Sequence, residues 1–94
     1  MDILYGVAGF VSSDDAQVTV EIGAEKQGIE IKSKVSRLFS RQIMEAVNEI
    51  LGKYKIENAH VVVEDKGALD YVLKARIEAA VRRALASQKE GDEV

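Results

Sequence analysis

The spacing of apolar residues changes along this chain, and that change restricts the fold more than any other feature. In residues 17–22, QVTVEI, the side chains of Val18, Val20 and Ile22 share one face and polar side chains share the other. The same alternation recurs in residues 29–35, IEIKSKV, and a period of two indicates half-buried strands. The apolar segment VAGFV before them is predicted as a first strand, and polar turns separate the three. An antiparallel meander with one solvated face is therefore expected.

Two later segments have the period of a helix. From about Ser36, a suitable N-cap, to Tyr54 the apolar residues are three or four positions apart, which marks one helix face. Residues 59–64, AHVVVE, return to strand character, and a second helix is predicted from about Leu69 to Ala86. The apolar stripe of that helix is predicted to be Leu69, Leu73, Ile77, Val81 and Leu85, spaced by four throughout.

The resulting order β-β-β-α-β-α predicts an α+β fold. The simplest architecture is a two-layer sandwich, in which two helices cover one face of a four-stranded, mostly antiparallel sheet. If the third and fourth strands are neighbours, the helix between them makes a right-handed crossover between parallel strands. The length of 94 residues and the hydrophobic content of 47% predict a single domain over residues 1–87, followed by a flexible polar tail at 88–94.

Composition narrows the classes of function. The net charge of −3 at pH 7 argues against a nucleic-acid binder, and the absence of cysteine excludes disulfides and thiolate metal sites. No segment has the roughly 20 apolar residues that a membrane span needs, and the N-terminus lacks the basic start of a signal peptide. A cytoplasmic location is therefore expected.

Few residues offer catalytic chemistry. His60 is the only histidine and lies in a predicted strand beside three valines, where it is expected to be an ordinary partly buried side chain. Glu64 and Asp65 are adjacent, so in a strand they point to opposite faces and make a poor acid–base pair. Asp65 is interpreted as a cap for the helix that follows. The glycines do not match a phosphate-binding loop of the P-loop or dinucleotide type, and no catalytic or metal site is predicted.

The segment SSDD, residues 12–15, lies between the first two predicted strands. Serine and aspartate favour turn geometry, so a hairpin loop is the simplest interpretation. A serine with no base beside it is a weak nucleophile. If Ser12 or Ser13 takes part in chemistry, another protein has to activate it.

Two segments of the chain resemble the citrate lyase acyl carrier protein, or gamma subunit, family. AGFVSSDD matches its pattern of Ala-Gly, three variable positions, Ser, one variable position and Asp, at Ala8, Gly9, Ser13 and Asp15. VEDKGALDYVLKARIEAAVRRA, residues 63–84, resembles the family's Asp-Lys-Gly-Ala-Leu-Asp segment and the arginine-rich helix after it. Between them, SKVSRLFSRQI resembles a family stretch, and the similarity spans about residues 5–87.

The resemblance implies a carrier rather than a catalyst. A phosphoribosyl-dephospho-CoA group would be attached to Ser13 through a phosphodiester, with Ser12 as the alternative position. Its thiol would bear acetyl and citryl thioesters while citrate is cleaved to acetate and oxaloacetate. The implied partners are the transferase (alpha) and lyase (beta) subunits of citrate lyase and a prosthetic-group transferase, with no membrane or nucleic acid. Asp14 and Asp15 are expected to keep the loop solvated and to repel the phosphodiester.

Two other functions remain open at this point. One is the acyl carrier of malonate decarboxylase, a related system with the same prosthetic group. The other is a small RNA-binding α+β domain that uses the basic second helix, which carries Lys74, Arg76, Arg82 and Arg83. A four-helix acyl carrier is excluded, because the N-terminal half is rich in strands.

Overall fold

A computed structural model of the chain describes residues 3–23, 25–33 and 36–92 and confirms the predicted α+β fold. The strands are β1 (Leu4–Ala8), β2 (Ala16–Ile22), β3 (Gly28–Ile31) and β4 (Ala59–Asp65). The helices are α1 (Arg37–Lys53) and α2 (Asp70–Asp92). Ser36 is the N-cap of α1, as predicted, and its hydroxyl accepts a hydrogen bond from the Phe39 amide at 3.1 Å.

The order of the strands in the sheet differs from the predicted meander. The order is β1-β2-β4-β3, so β4 lies between β2 and β3. The pairs β1–β2 and β2–β4 are antiparallel, whereas β3–β4 is parallel. The expected meander, in which β2 pairs with β3, is therefore wrong. The third and fourth strands are parallel neighbours, which is the case for which the sequence analysis expects a helical crossover. Each alternate residue of β4 from Ala59 to Asp65 is buried, as suits a central strand, whereas the short edge strand β3 has none.

One face of the sheet carries the hydrophobic core. Val18 pairs with Val63, and Val20 pairs with Val61, across β2 and β4, and none of these four side chains is exposed. Helices α1 and α2 cover them with the buried side chains Ile43, Ala46, Val47, Ile50, Leu73, Ile77, Ala80, Val81 and Ala84. The predicted two-layer arrangement, with both helices on one face, is confirmed.

Helix α2 lies directly on β1 at Gly6. A Cβ atom at this position would overlap the carbonyl oxygen of Ala80 and the amide nitrogen of Ala84. Both alanines are fully buried. Glycine in β1 and alanine in α2 therefore allow the helix backbone to approach the strand closely.

The buried stripe of α2 differs from the predicted ladder at its ends. Leu73, Ile77 and Val81 are buried, but Leu69 and Leu85 are exposed. A helix has 3.6 residues per turn, so a spacing of four drifts around the axis and carries both ends of the ladder away from the sheet. The small side chains of Ala80 and Ala84 fill the stripe instead.

Helix α2 also continues beyond its predicted end at Ala86. It runs to Asp92, and residues 93–94 lie outside the described part. The single domain over residues 1–87 and the flexible polar tail at 88–94 remain predictions.

Candidate functional site

The candidate serines lie in the loop of residues 9–15, which joins β1 to β2. The first strand was expected to include Phe10 and Val11, but β1 ends at Ala8. Gly9 stops it, because its φ of +84° lies in the left-handed region and a Cβ there would overlap the carbonyl oxygen of Ala16. Glycine is therefore required at Gly9, and the loop is longer than the sequence predicted.

Ser13 lies at the tip of this loop. The Asp15 amide donates to the Ser12 carbonyl oxygen at 3.1 Å, which closes a β-turn with Ser13 and Asp14 at its two central positions. Asp14 has a φ of 64°, a conformation that aspartate tolerates better than most residues. Both Ser12 and Ser13 are exposed, so the Ser13 hydroxyl is accessible to another protein without unfolding.

The turn is joined to the loop that follows β4. The Asp14 amide donates to the Lys66 carbonyl oxygen, and the Lys66 amide donates to the Asp15 carbonyl oxygen, each at 2.9 Å. These bonds continue the pairing of Ala16 with Asp65 between β2 and β4. The loop that contains Ser13 and the segment that begins at Val63, both of which carry the family resemblance, are therefore in contact.

Asp65 shapes that second loop. Its carboxylate accepts from the amides of Gly67 at 3.2 Å and Ala68 at 3.0 Å. The Ser33 hydroxyl accepts from the Asp65 amide and donates to the Asp65 carbonyl oxygen, both at 2.6 Å. The interpretation of Asp65 as a helix cap is corrected, because it caps the loop and α2 begins later, at Asp70. Ser33 and Asp65 thus hold the surface on which the Ser13 turn rests.

Arg76 of α2 fixes the other side of the Ser13 loop. Its Nε donates to Asp15 Oδ1 at 2.9 Å and its Nη2 to Oδ2 at 3.2 Å, a two-point ion pair. The Ala16 amide adds a bond to Oδ1 at 2.7 Å. The Arg76 hydrogen bond, followed by the Ala16 amide, holds the pKa of Asp15 below its usual value.

The expectation that both aspartates keep the loop solvated is wrong for Asp15. The Asp15 side chain is only 14% exposed and binds α2, whereas Asp14 is exposed. The expected repulsion of a phosphodiester by both aspartates is therefore reduced to Asp14, since Arg76 balances the charge of Asp15. Asp15 acts as an anchor for the loop.

Asp15→Asn is expected to destabilise the protein at neutral pH, because it removes the anion that Arg76 binds. The folded-state pKa of Asp15 is lowered, so its stabilising contribution is complete above the unfolded pKa of about 3.9 and is lost as the pH falls through the folded pKa. Urea unfolding from pH 7 to pH 2.5 should show the wild type and the variant converging at low pH.

Asp14→Asn is the matched control. Asn also tolerates a left-handed backbone, and the side chain of Asp14 makes no ion pair among the described residues. Its unfolding midpoint should stay close to that of the wild type at neutral pH. Equal stability of Asp15→Asn and the wild type at pH 7 would show that the Arg76 contact does not hold the loop.

The residues near the turn form no acid–base pair. A groove of about 800 Å³ beside it is lined by Lys32, Ser33, Ser36, Phe39 and residues 65–67. Its carboxylate and both of its hydroxyls are bonded to backbone groups, as described above.

Over residues 3–23, 25–33 and 36–92, no three His, Cys, Asp or Glu side chains are grouped as a metal site requires. Within the same ranges, neither helix has the length and apolar character of a membrane span.

His60 is a partly buried side chain on the open face of the sheet, as predicted. Its nearest charged partner is Glu30, with 3.5 Å between Nε2 and the carboxylate. His60 is the second residue of β4, whereas the Ser13 turn lies beside Asp65, the last residue of the same strand. His60 is therefore not positioned to activate Ser13.

Most of the basic side chains on α2 bind within the chain. Arg76 binds Asp15, Arg83 donates to the Val7 carbonyl oxygen at 2.7 Å, and Lys74 lies 3.6 Å from the Asp70 carboxylate. Three of the four basic side chains named for the RNA-binding alternative therefore have partners within the chain.

Comparison with known proteins gives a consistent result. The family described as malonate decarboxylase delta subunit (MdcD) matches residues 5–84. Proteins named citrate lyase acyl carrier protein are also similar. The one from Fusobacterium nucleatum is 51% identical over 87% of this chain and 88% of its own length. The protein from Treponema denticola is 42% identical over 83% of this chain and 88% of its own length. The protein from Lactobacillus helveticus is 41% identical over 92% of this chain and 89% of its own length.

The chain belongs to the citrate lyase acyl carrier protein family. The region of similarity includes both loops of the candidate site, since the family match begins in β1 and ends in α2. No solved structure matches the chain. In this member of the citrate lyase acyl carrier protein family, the motif Asp15 has a structural role that its spacing from Ser13 did not reveal.

Proposed function

We propose that this chain is the acyl carrier subunit of citrate lyase and that Ser13 is the attachment point of a phosphoribosyl-dephospho-CoA group. The exposure of Ser13 at the tip of an anchored turn supports this assignment most directly. Ser12 is also exposed, but its carbonyl oxygen closes the turn and it lies one position before the family serine. The membership of the family supplies the rest of the argument.

The attachment needs a second protein. The Ser13 oxygen would form a bond to a phosphorus atom of an activated phosphoanhydride precursor, the bond from that phosphorus to the anhydride leaving group would break, and the hydroxyl proton would pass to a base of the transferase. No side chain of the described residues is bonded to the Ser13 hydroxyl. This chain contributes an accessible hydroxyl on a turn of fixed shape.

When attached, the group supplies a terminal thiol for the acetyl and citryl thioesters of citrate cleavage to acetate and oxaloacetate. The chain itself fixes the position of the attachment point. Asp15, bound to Arg76, and the reciprocal bonds to Lys66 fix the base of the arm on the sheet. A tether on a rigid base keeps its cargo at high effective concentration near both active sites. The partners would be the transferase (alpha) and lyase (beta) subunits, in the cytoplasm, and the chain would catalyse neither step.

Intact mass spectrometry of the protein purified from its native host tests the proposal. We expect an adduct of the size of phosphoribosyl-dephospho-CoA, and fragmentation should place it on the peptide that contains residues 9–15. Unmodified protein from cells that are cleaving citrate would contradict the proposal. Retention of RNA that is released by added salt would favour the RNA-binding alternative instead.

The malonate decarboxylase carrier remains a second candidate, because the matching family model bears that name. The same prosthetic group is expected in both systems, so mass alone does not separate them. Loaded carrier should be added to carrier-depleted citrate lyase and to carrier-depleted malonate decarboxylase. Restoration of citrate cleavage supports the first function, and restoration of malonate decarboxylation alone supports the second.

A further inference from the structure

Two exposed apolar side chains lie beside the turn that contains Ser13. Phe10 is 69% exposed and Val11 is 44% exposed, and they directly precede the serines at positions 12 and 13. Single exposed apolar residues are common on protein surfaces. Here, however, a phenyl ring and a valine are adjacent, and they lie in the loop that carries Ser13. Phe10 is more exposed than the other phenylalanine, Phe39, which packs against the core.

The loop that carries Phe10 is held at both ends. On its C-terminal side, Arg76 of α2 binds the Asp15 carboxylate. On the other side, Gly9 lies against the carbonyl oxygen of Ala16. A partner that binds the ring therefore does not have to order the loop first, which lowers the entropic cost of association.

We propose that Phe10 and Val11 are the hydrophobic anchor by which the enzyme that forms the phosphodiester at Ser13 holds this carrier. The inference rests on the proposed function. That enzyme has to bring the Ser13 oxygen itself into its active site, so its surface covers the residues next to the serine. Its binding surface is expected to present an apolar pocket beside the active site, since buried aromatic side chains contribute strongly to protein interfaces.

The proposed function limits this anchor to one partner. The alpha and beta subunits of citrate lyase would act on the thiol at the end of the attached group and not on the Ser13 hydroxyl. They can receive the thioester without covering Phe10. Loss of the ring should therefore affect the attachment of the group and leave the later steps of the cycle largely unchanged.

Phe10→Ala is expected to lower the kcat/KM of group attachment about tenfold or more, the range found for anchor residues at interfaces. The change should appear mainly in the KM for the carrier, because Ser13 and its turn are intact. Val11→Ala should give a smaller change in the same direction, and Phe10→Leu should recover most of the activity. Attachment is followed by intact mass spectrometry over time in the presence of the purified prosthetic-group transferase.

Ile3→Ala is the matched control. Ile3 is 53% exposed and precedes β1 at the end away from the Ser13 loop, so its kcat/KM of attachment should equal that of the wild type. A tenfold loss in Ile3→Ala as well, or an unchanged KM in Phe10→Ala, would overturn the inference. If the wild type forms a dimer that Phe10→Ala dissociates, with unchanged attachment, the ring binds a second copy and the inference is wrong.

The two proposals fail in different ways. Fully loaded Phe10→Ala, obtained after long incubation, should support citrate cleavage at about the wild-type rate. A comparable loss in the cleavage assay would show that the anchor is not specific to the attaching enzyme. If the prosthetic-group transferase places no group on wild-type Ser13, the proposed function fails. If it modifies the wild type and Phe10→Ala equally well, only the inference about the anchor fails.

Discussion

Ser13→Ala is expected to remain entirely unmodified under conditions that load the wild type completely. The substitution removes the only atom that can form the phosphodiester at this position, so the loss is absolute. Alanine is compatible with the turn, because the bond that closes it joins the backbone of Asp15 and Ser12. The fold should therefore be unchanged, and carrier-depleted citrate lyase mixed with this variant should stay inactive.

Ser12→Ala is the matched control for that experiment. Ser12 is equally exposed and lies in the same turn, so a transferase that accepts any nearby hydroxyl would use it. We expect Ser12→Ala to gain the full adduct and to restore citrate cleavage. An adduct on Ser13→Ala that is absent from the double variant of both serines would move the attachment point to Ser12 and contradict the assignment.

The sequence predicts the kinds and order of the elements better than their neighbours. Alternation in β2 predicts which side chains face the core, and the structure confirms it at Val18 and Val20. The run of valines in β4 does not show which of them are buried, and the structure buries Val61 and Val63. Alternation carries no information about which strand lies beside another. The polar turn after β2 predicts direct pairing with β3, but β4 occupies the centre of the sheet and buries every second residue from Ala59 to Asp65.

The same limit applies to the candidate site. Ser13 is predicted from the family's pattern at Ala8, Gly9 and Asp15, and the structure places this serine in an exposed turn. The attachment at Ser13 stays a prediction. The role of Arg76 was missed, because its pairing with Asp15 joins residues that are 61 positions apart in sequence. A hint was available in the helix period, since Arg76 lies next to the buried Ile77 at the margin of the apolar stripe. Whether the Arg76 side chain extends into solvent or binds Asp15 depends on where the fold places the loop of residues 9–15.

Gly6→Ala is expected to destabilise the fold strongly, although it adds a single methyl group. That methyl group would overlap backbone atoms of Ala80 and Ala84 in α2, and a helix backbone cannot move aside as a flexible side chain can. Overpacking of a tight core costs about 3 kcal/mol at the upper end of its usual range. For a domain of this size, that loss lowers Tm by roughly 15 °C. Thermal and urea unfolding of the purified variant would measure both values.

Gly52→Ala separates this steric effect from the general properties of glycine. Gly52 lies in the last turn of α1, and a Cβ there meets nothing within 4 Å. Alanine at this helical position should stabilise the protein by about 0.5 kcal/mol or more. Because α2 also carries Arg76, the displaced helix in Gly6→Ala should weaken the Asp15 contact and slow attachment at Ser13. A Gly6→Ala variant as stable as the wild type would show that α2 does not lie against β1 as closely as described, and the anchoring of the carrier loop through Arg76 would then lose its basis.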